Sequence, residues 1–247
     1  MQGFTWLAYD KKPSNADMKA ALVRAGVPFA NVIVAIDCTL SNNDQRLHAP
    51  GGDTALNQYE EVMGLGLPLV MEQDVNGLMS MVGFGSEDAQ DTSVFEFYTG
   101  EKTIAEARRA YRDKMKTVRL SGPTTFATSV EHAIAAHVKG TLTVLCIICD
   151  GTVSYACKHD TVKAIRRASH MAISIIIVGV GNADFTYMRA LDDDLKKEGV
   201  LYDNVQFVAL KDVPKSERYD RLAAEMLSEL PAQYKKMREL GYFSAVN

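Results

Sequence analysis

Short, continuously apolar runs alternate along the chain with amphipathic stretches. Residues 32–36 are continuously apolar and mostly β-branched, and the runs at 77–83, 142–149, 173–180 and 205–208 are predominantly apolar, each with at most one polar residue (Ser80, Thr143, Ser174, Gln206). That is the pattern of strands buried on both faces of a parallel sheet, where no face is left for water. Residues 93–98 add a short edge strand. The amphipathic stretches predict helices. Ser14 caps the first, which runs to about residue 25 and ends at Gly26; others follow at 54–64, 103–115 with Thr103 as cap, 125 or 126 to 137, 159–170 and 183–191. A last helix spans 217–240, with Pro231 kinking it or starting a second segment. Strands alternating with helices imply an α/β fold with a doubly wound, mainly parallel sheet flanked by helices and one short antiparallel edge strand.

The first buried run ends in Asp37-Cys-Thr39-Leu-Ser41. Residues just beyond such a strand lie at the carboxyl edge of the sheet, where open α/β folds bind ligands. A carboxylate and two hydroxyls there make three hard oxygen donors with one formal charge, a set suited to Mg²⁺. The competing reading is a helix N-cap, for which the same residue types are favoured. Two further segments support the ligand reading: the turn-forming Ser121-Gly-Pro-Thr124-Thr125, and Asp150-Gly151 at the end of a second buried run.

The set Asp37-x-Thr39-x-Ser41, Thr124 and Asp150 resembles the metal-ion-dependent adhesion site of von Willebrand factor A domains. The surrounding phrases are similar to the copine type of that domain, and to the copine-like domain of plant ubiquitin ligases that carry a RING finger. They are Asn31-Val-Ile-Val-Ala-Ile-Asp37, Gly83-Phe-Gly85, Leu120-Ser-Gly-Pro-Thr124, Ile148-Cys-Asp150-Gly151, Ser174-Ile-Ile-Ile-Val-Gly-Val-Gly181 with Ala183-Asp184-Phe185, and Asp203-Asn-Val-Gln-Phe207-Val208. They occur in the family's order from about residue 15 to about residue 240.

The resemblance implies a metal-dependent protein-interaction module. Thr39 and Ser41 would touch the ion, and Asp37 and Asp150 would act through water. Thr124 would ligate in one conformation and recede in another. One coordination position stays open for a Glu or Asp of a partner protein. Mg²⁺ is the first expectation; Mn²⁺ and Ca²⁺ also accept oxygen donors. Thr39 stands where many A domains have Ser, which keeps the hydroxyl. The 247 residues themselves match neither a C2 domain nor a RING finger, so lipid binding and ubiquitin transfer are not expected to carry over directly. The alternatives are a calcium-responsive, membrane-associated signalling adaptor like full-length copines, and a metal-dependent phosphoryl hydrolase. Haloacid-type phosphatases place a second carboxylate where Thr39 stands, and no nucleophile–base pair is apparent. The expectation is therefore no enzyme.

Composition fits one domain over 1–247, with a core at about 27–210 and a C-terminal helical segment at 217–240. The 247 residues are 47% hydrophobic and 23% charged, and the net charge of −4 gives no basic surface for nucleic acid. No apolar stretch reaches the roughly 18 residues needed to span a bilayer. The N-terminus lacks a signal-peptide pattern, and Gly3 is out of place for myristoylation. A cytoplasmic protein follows, peripheral at membranes through partners. Cys146 and Cys149, three apart on a strand, point to opposite faces, so core packing without a disulfide is expected. Cys157 is read as inert; Cys38 faces either the core or the site.

Other features are read conservatively. Gly179-Val-Gly181 lacks the third glycine of a dinucleotide turn, and Asp184 stands in its place. Asp192, Asp193 and Asp194 read as a solvated loop. His48 lines the rim of the metal face or packs a loop. His132 and His137 do not share a helix face. Arg108-Arg109 and Arg166-Arg167 read as solvated helix faces.

Overall fold

A computed structural model describes residues 12–28, 30–50, 56–72, 78–101, 103–195 and 199–243. Its centre is a six-stranded sheet: β1 Ala30–Asp37, β2 Leu78–Phe84, β3 Phe95–Glu101, β4 Leu142–Cys149, β5 Ile173–Gly179 and β6 Val205–Ala209, in the order β3-β2-β1-β4-β5-β6. All neighbouring pairs are parallel except β2 with β3. Every residue of β4 and β5 is buried, Thr143 and Ser174 included, as strands covered on both faces require.

Helices cover both faces, and the period-two alternation of each strand divides its side chains between them. One face carries α1 Asn15–Ala25, α2 Gln58–Leu65, α3 Leu67–Met71, α4 Ile104–Met115, α8 Arg218–Met226 and α9 Leu230–Glu239. Here Met18, Leu22, Met63, Tyr111 and Met226 pack on Val34, Ile36, Cys146 and Ile148. The other face carries α5 Ala127–Ala136, α6 Lys158–Ala168 and α7 Thr186–Asp194, packed on Ile33, Ala35, Ile147 and Cys149. Cys146 and Cys149 thus lie in different layers, and all four cysteines are free. Leu230 and Met237 bring the last helix onto its own sheet.

Local signals explain most boundaries. Ser14 and Asp17 form a reciprocal cap on α1, and Gly26 ends it with φ 67°. The helix expected at 54–64 starts at Gln58, where Asn57 and Glu60 make a second reciprocal cap; residues 54 and 55 lie outside the described residues, as does Gly77. A short helix, α3, follows with Pro68 in its first turn, and the sequence reading missed it. β3 begins at Phe95 rather than at residue 93. Pro231 starts a separate helix, the second of the two outcomes expected for it. Asp192–Asp194 close α7 instead of forming a loop. No helix among the described residues is long and apolar enough to cross a membrane.

Candidate metal centre

The strand order reverses between β1 and β4, which lie side by side with Ile36 opposite Ile148. The chain leaves these two carboxyl ends in opposite directions and opens a crevice there. Asp37 ends β1 and is fully buried; Asp150 follows β4 and is 3% exposed. The Asp37 Oδ1 accepts the Thr39 N–H at 2.8 Å, which folds the chain back over the strand end. Thr39 Oγ1 lies 3.1 Å from Ser41 Oγ, and Ser41 Oγ donates to Asp150 Oδ1 at 2.9 Å. The structure therefore brings together four of the five residues picked from sequence.

Thr124 is held by its backbone in an adjoining loop, bonded to Ser154. Its N–H donates to Ser154 Oγ at 3.0 Å, and the Ser154 N–H returns to the Thr124 carbonyl at 2.9 Å. The same loop is tied to the first one by Leu40 N–H to the Ser121 carbonyl, 2.6 Å. Among the described residues, no hydrogen bond links the Thr124 side chain to the other four.

A buried polar layer supports the site from behind. Asn42 donates to the Thr39 carbonyl at 3.1 Å and accepts from the Tyr59 hydroxyl at 2.7 Å. His48 Nε2 lies 2.8 Å from the Asp37 carbonyl, Nδ1 lies 2.7 Å from the Tyr111 hydroxyl, and the ring stacks on Tyr59 at 4.3 Å. Burial lowers the His48 pKa to about 4, so the ring is neutral, with Nε2–H donating and Nδ1 accepting. Of its two sequence readings, packing is the one observed. Cys38 lies in the core layer of α2 and α4, away from the oxygen cluster. Arg166 and Arg167 are exposed as expected, but Arg108 is not simply solvated. It donates twice to the Glu60 carbonyl, with its guanidinium where a Gly64 side chain would begin. With Arg109, Arg112 and Tyr111 it lines a cavity of about 680 Å³ between α2 and α4, whose lining includes neither Asp37 nor Asp150.

Gly85 sets the height of Thr39. Its φ is +75°, and a Cβ there would meet Thr39 Cγ2 at 2.3 Å. Gly85→Ala is expected to cost about 1–3 kcal/mol from overpacking and the left-handed backbone. It should also weaken any cation held by Thr39. Melting curves and a cation titration check the two effects separately.

The electrostatics are those of a site short of positive charge. Asp37 Oδ2 is buried and has no hydrogen-bond partner among the described residues. Burial first, then the nearby charge of Asp150, pushes the Asp37 pKa up to about 7. Asp150 is raised as well, again mainly by burial. A divalent cation would satisfy the orphaned oxygen and relieve the repulsion, so the residues fit one. Among the described residues, no group of three or more His, Cys, Asp or Glu is placed to hold a metal. The donors are two carboxylates with hydroxyls, which favours a hard ion.

The model of the copine family matches residues 46–245. The chain belongs to the copine family. It is 33% identical over 260 residues to the E3 ubiquitin-protein ligase RGLG5 of Arabidopsis thaliana, covering 94% of this chain and 59% of that protein. It is 34% identical over 227 residues to Copine-A of Dictyostelium discoideum, covering 83% and 37% respectively. This copine chain thus spans little more than half of the one relative and less of the other. Among solved structures, proximal thread matrix protein 1 of the mussel byssus matches with TM-score 0.51 and 14% identity, over 83% of this chain and 48% of that one. That likeness concerns the fold alone, a doubly wound α/β sheet.

The expectation of no enzyme is corrected by these relatives. RGLG5, RGLG1 and RGLG2, each matched over at least 94% of this chain, are E3 ubiquitin-protein ligases. The expectation rested on the lack of a nucleophile–base pair within these residues. The chain spans only 54–59% of those proteins, and an activity of the whole cannot be read from side chains of a part.

Proposed function

We propose that this domain holds a divalent cation at Asp37, Thr39, Ser41, Thr124 and Asp150, and through it binds an Asp or Glu side chain of a partner protein. The observation that carries the reading is the orphaned Oδ2 of buried Asp37, beside an Asp150 that Ser41 ties to the same cluster. Two carboxylates balance the charge of one divalent ion, so the ion remains able to accept a third. Mg²⁺ is the first candidate, and Mn²⁺ and Ca²⁺ suit the same donors. The setting proposed is the cytoplasm, at membranes only through partners.

The identity to RGLG5 across 94% of the chain favours a second, compatible reading. In it the domain is the partner-holding part of a larger ubiquitin ligase. The calcium-responsive adaptor of full-length copines is the corresponding reading from Copine-A. The test common to all is retention of proteins on the immobilised domain. Proteins held in Mg²⁺ should elute with chelator and be missing from an Asp37→Ala column. Equal retention on both columns would reject the reading.

A further inference from the structure

Among the described residues, seven large apolar side chains are exposed. Scattered exposed apolar residues are ordinary and by themselves mean nothing. Five are spread over the rest of the surface: Val23 on α1, Tyr219 on α8, Leu56 before α2, Val138 after α5 and Leu201 before β6. The other two, Leu40 at 58% and Tyr155 at 88% exposure, both stand in the loops of the candidate metal centre.

Their positions are fixed by backbone, not by slack. Leu40 sits between Thr39 and Ser41, whose hydroxyls lie 3.1 Å apart in the candidate site. Its N–H is held by the Ser121 carbonyl, and the turn that carries it closes with Asn42 N–H to the Thr39 carbonyl at 3.2 Å. Tyr155 follows Ser154, the residue doubly bonded to Thr124, and its turn closes with Cys157 N–H to the Ser154 carbonyl at 2.8 Å. Both side chains are thus presented to solvent by rigid turns, one in the Asp37–Ser41 loop and one in the loop that grips Thr124. Tyr is favoured at the energetic centres of interfaces, and preorganised anchors lose little entropy on binding.

We infer that Leu40 and Tyr155 form an apolar rim that selects a partner segment carrying its Asp or Glu beside a large apolar side chain. This rests on the cation reading of the site, which supplies the attraction for the carboxylate; the rim supplies the choice among acidic segments. A bare acidic surface would satisfy the ion and leave both apolar side chains in water.

A peptide library displayed on phage and selected on the intact chain in Mn²⁺, with chelator elution, tests the inference. Selected peptides should carry Asp or Glu within one or two positions of Leu, Ile, Met or an aromatic residue. The double variant Leu40→Ser with Tyr155→Ser should bind them about tenfold or more weakly while taking up Mn²⁺ as the wild type does. Acidic, chelator-sensitive peptides without an apolar neighbour, bound equally by the variant, would overturn the rim and leave the cation site standing. Recovery of no chelator-sensitive acidic peptide would overturn both.

Discussion

In the ion-stripped protein at pH 8, Asp37→Asn is expected to unfold at a higher temperature than the wild type. Asp37 is fully buried, and its pKa stands at about 7 against 3.8 for an ordinary aspartate. Each unit is worth about 1.4 kcal/mol, so keeping the bare carboxylate ionised costs on the order of 4 kcal/mol as an upper bound. Asn removes the charge beside Asp150 and keeps the oxygen that accepts the Thr39 N–H. A gain of several degrees follows for a domain of this size.

The pH dependence separates this group from its neighbour. A folded-state pKa above the unfolded value gives stability that is full below about pH 4 and lost as pH rises to about 7. His48 runs the other way: its folded value of about 4 lies below 6.5, so stability is gained as pH rises from 4 to 6.5. The two slopes oppose each other in the wild type, which should be nearly flat across that window. Asp37→Asn removes the Asp37 slope and the charge beside Asp150, so the stability of the variant should climb with pH relative to the wild type over this window. Denaturant unfolding of ion-stripped proteins at several pH values reads this directly. An Asp37→Asn variant less stable than wild type at pH 8 would show that the carboxylate is satisfied without a cation.

Arg218→Ala is expected to cost about 2–4 kcal/mol, because it leaves two backbone carbonyls and the half-buried Glu61 carboxylate without their donor. The Arg218 guanidinium is buried and donates to the carbonyls of Leu210 and Val213 at 3.0 Å each, and to both Glu61 oxygens at 2.8 and 2.9 Å. It therefore locks α8 to α2 and to the turn after β6. Arg218→Lys should recover little, because one ammonium cannot span four acceptors in a planar fork. A loss below about 1 kcal/mol in the denaturation midpoint would mean that water replaces those bonds without strain.

The strands and the two carboxylates were legible because their cause is local. An unbroken run of β-branched residues cannot leave a face to water, and a carboxylate directly after such a run falls at the sheet edge. Asp37 and Asp150 needed only that argument. The layer of Asn42, His48, Tyr59 and Tyr111 was not legible, since His48 meets a hydroxyl 63 positions away. Nothing local marks a His or a Tyr as a partner at that range. Arg108 and Arg218 look like surface cations in sequence, yet Arg108 ends on the Glu60 carbonyl of a packed neighbouring helix and Arg218 folds back on the Leu210 and Val213 carbonyls while reaching Glu61 of α2. α3 was missed although Pro68 announced it, because its apolar residues continue the run of α2 without a polar break. The ligase relatives mark another limit, since residues of one domain do not state what a longer protein does.

Calorimetric titration of Mg²⁺ and Mn²⁺ into ion-stripped wild type and Asp37→Asn addresses the cation site itself. Uptake of one ion per chain by the wild type, absent from the variant, is the expected result. Equal uptake by both, or none by the wild type, would contradict a cation held at Asp37 and Asp150.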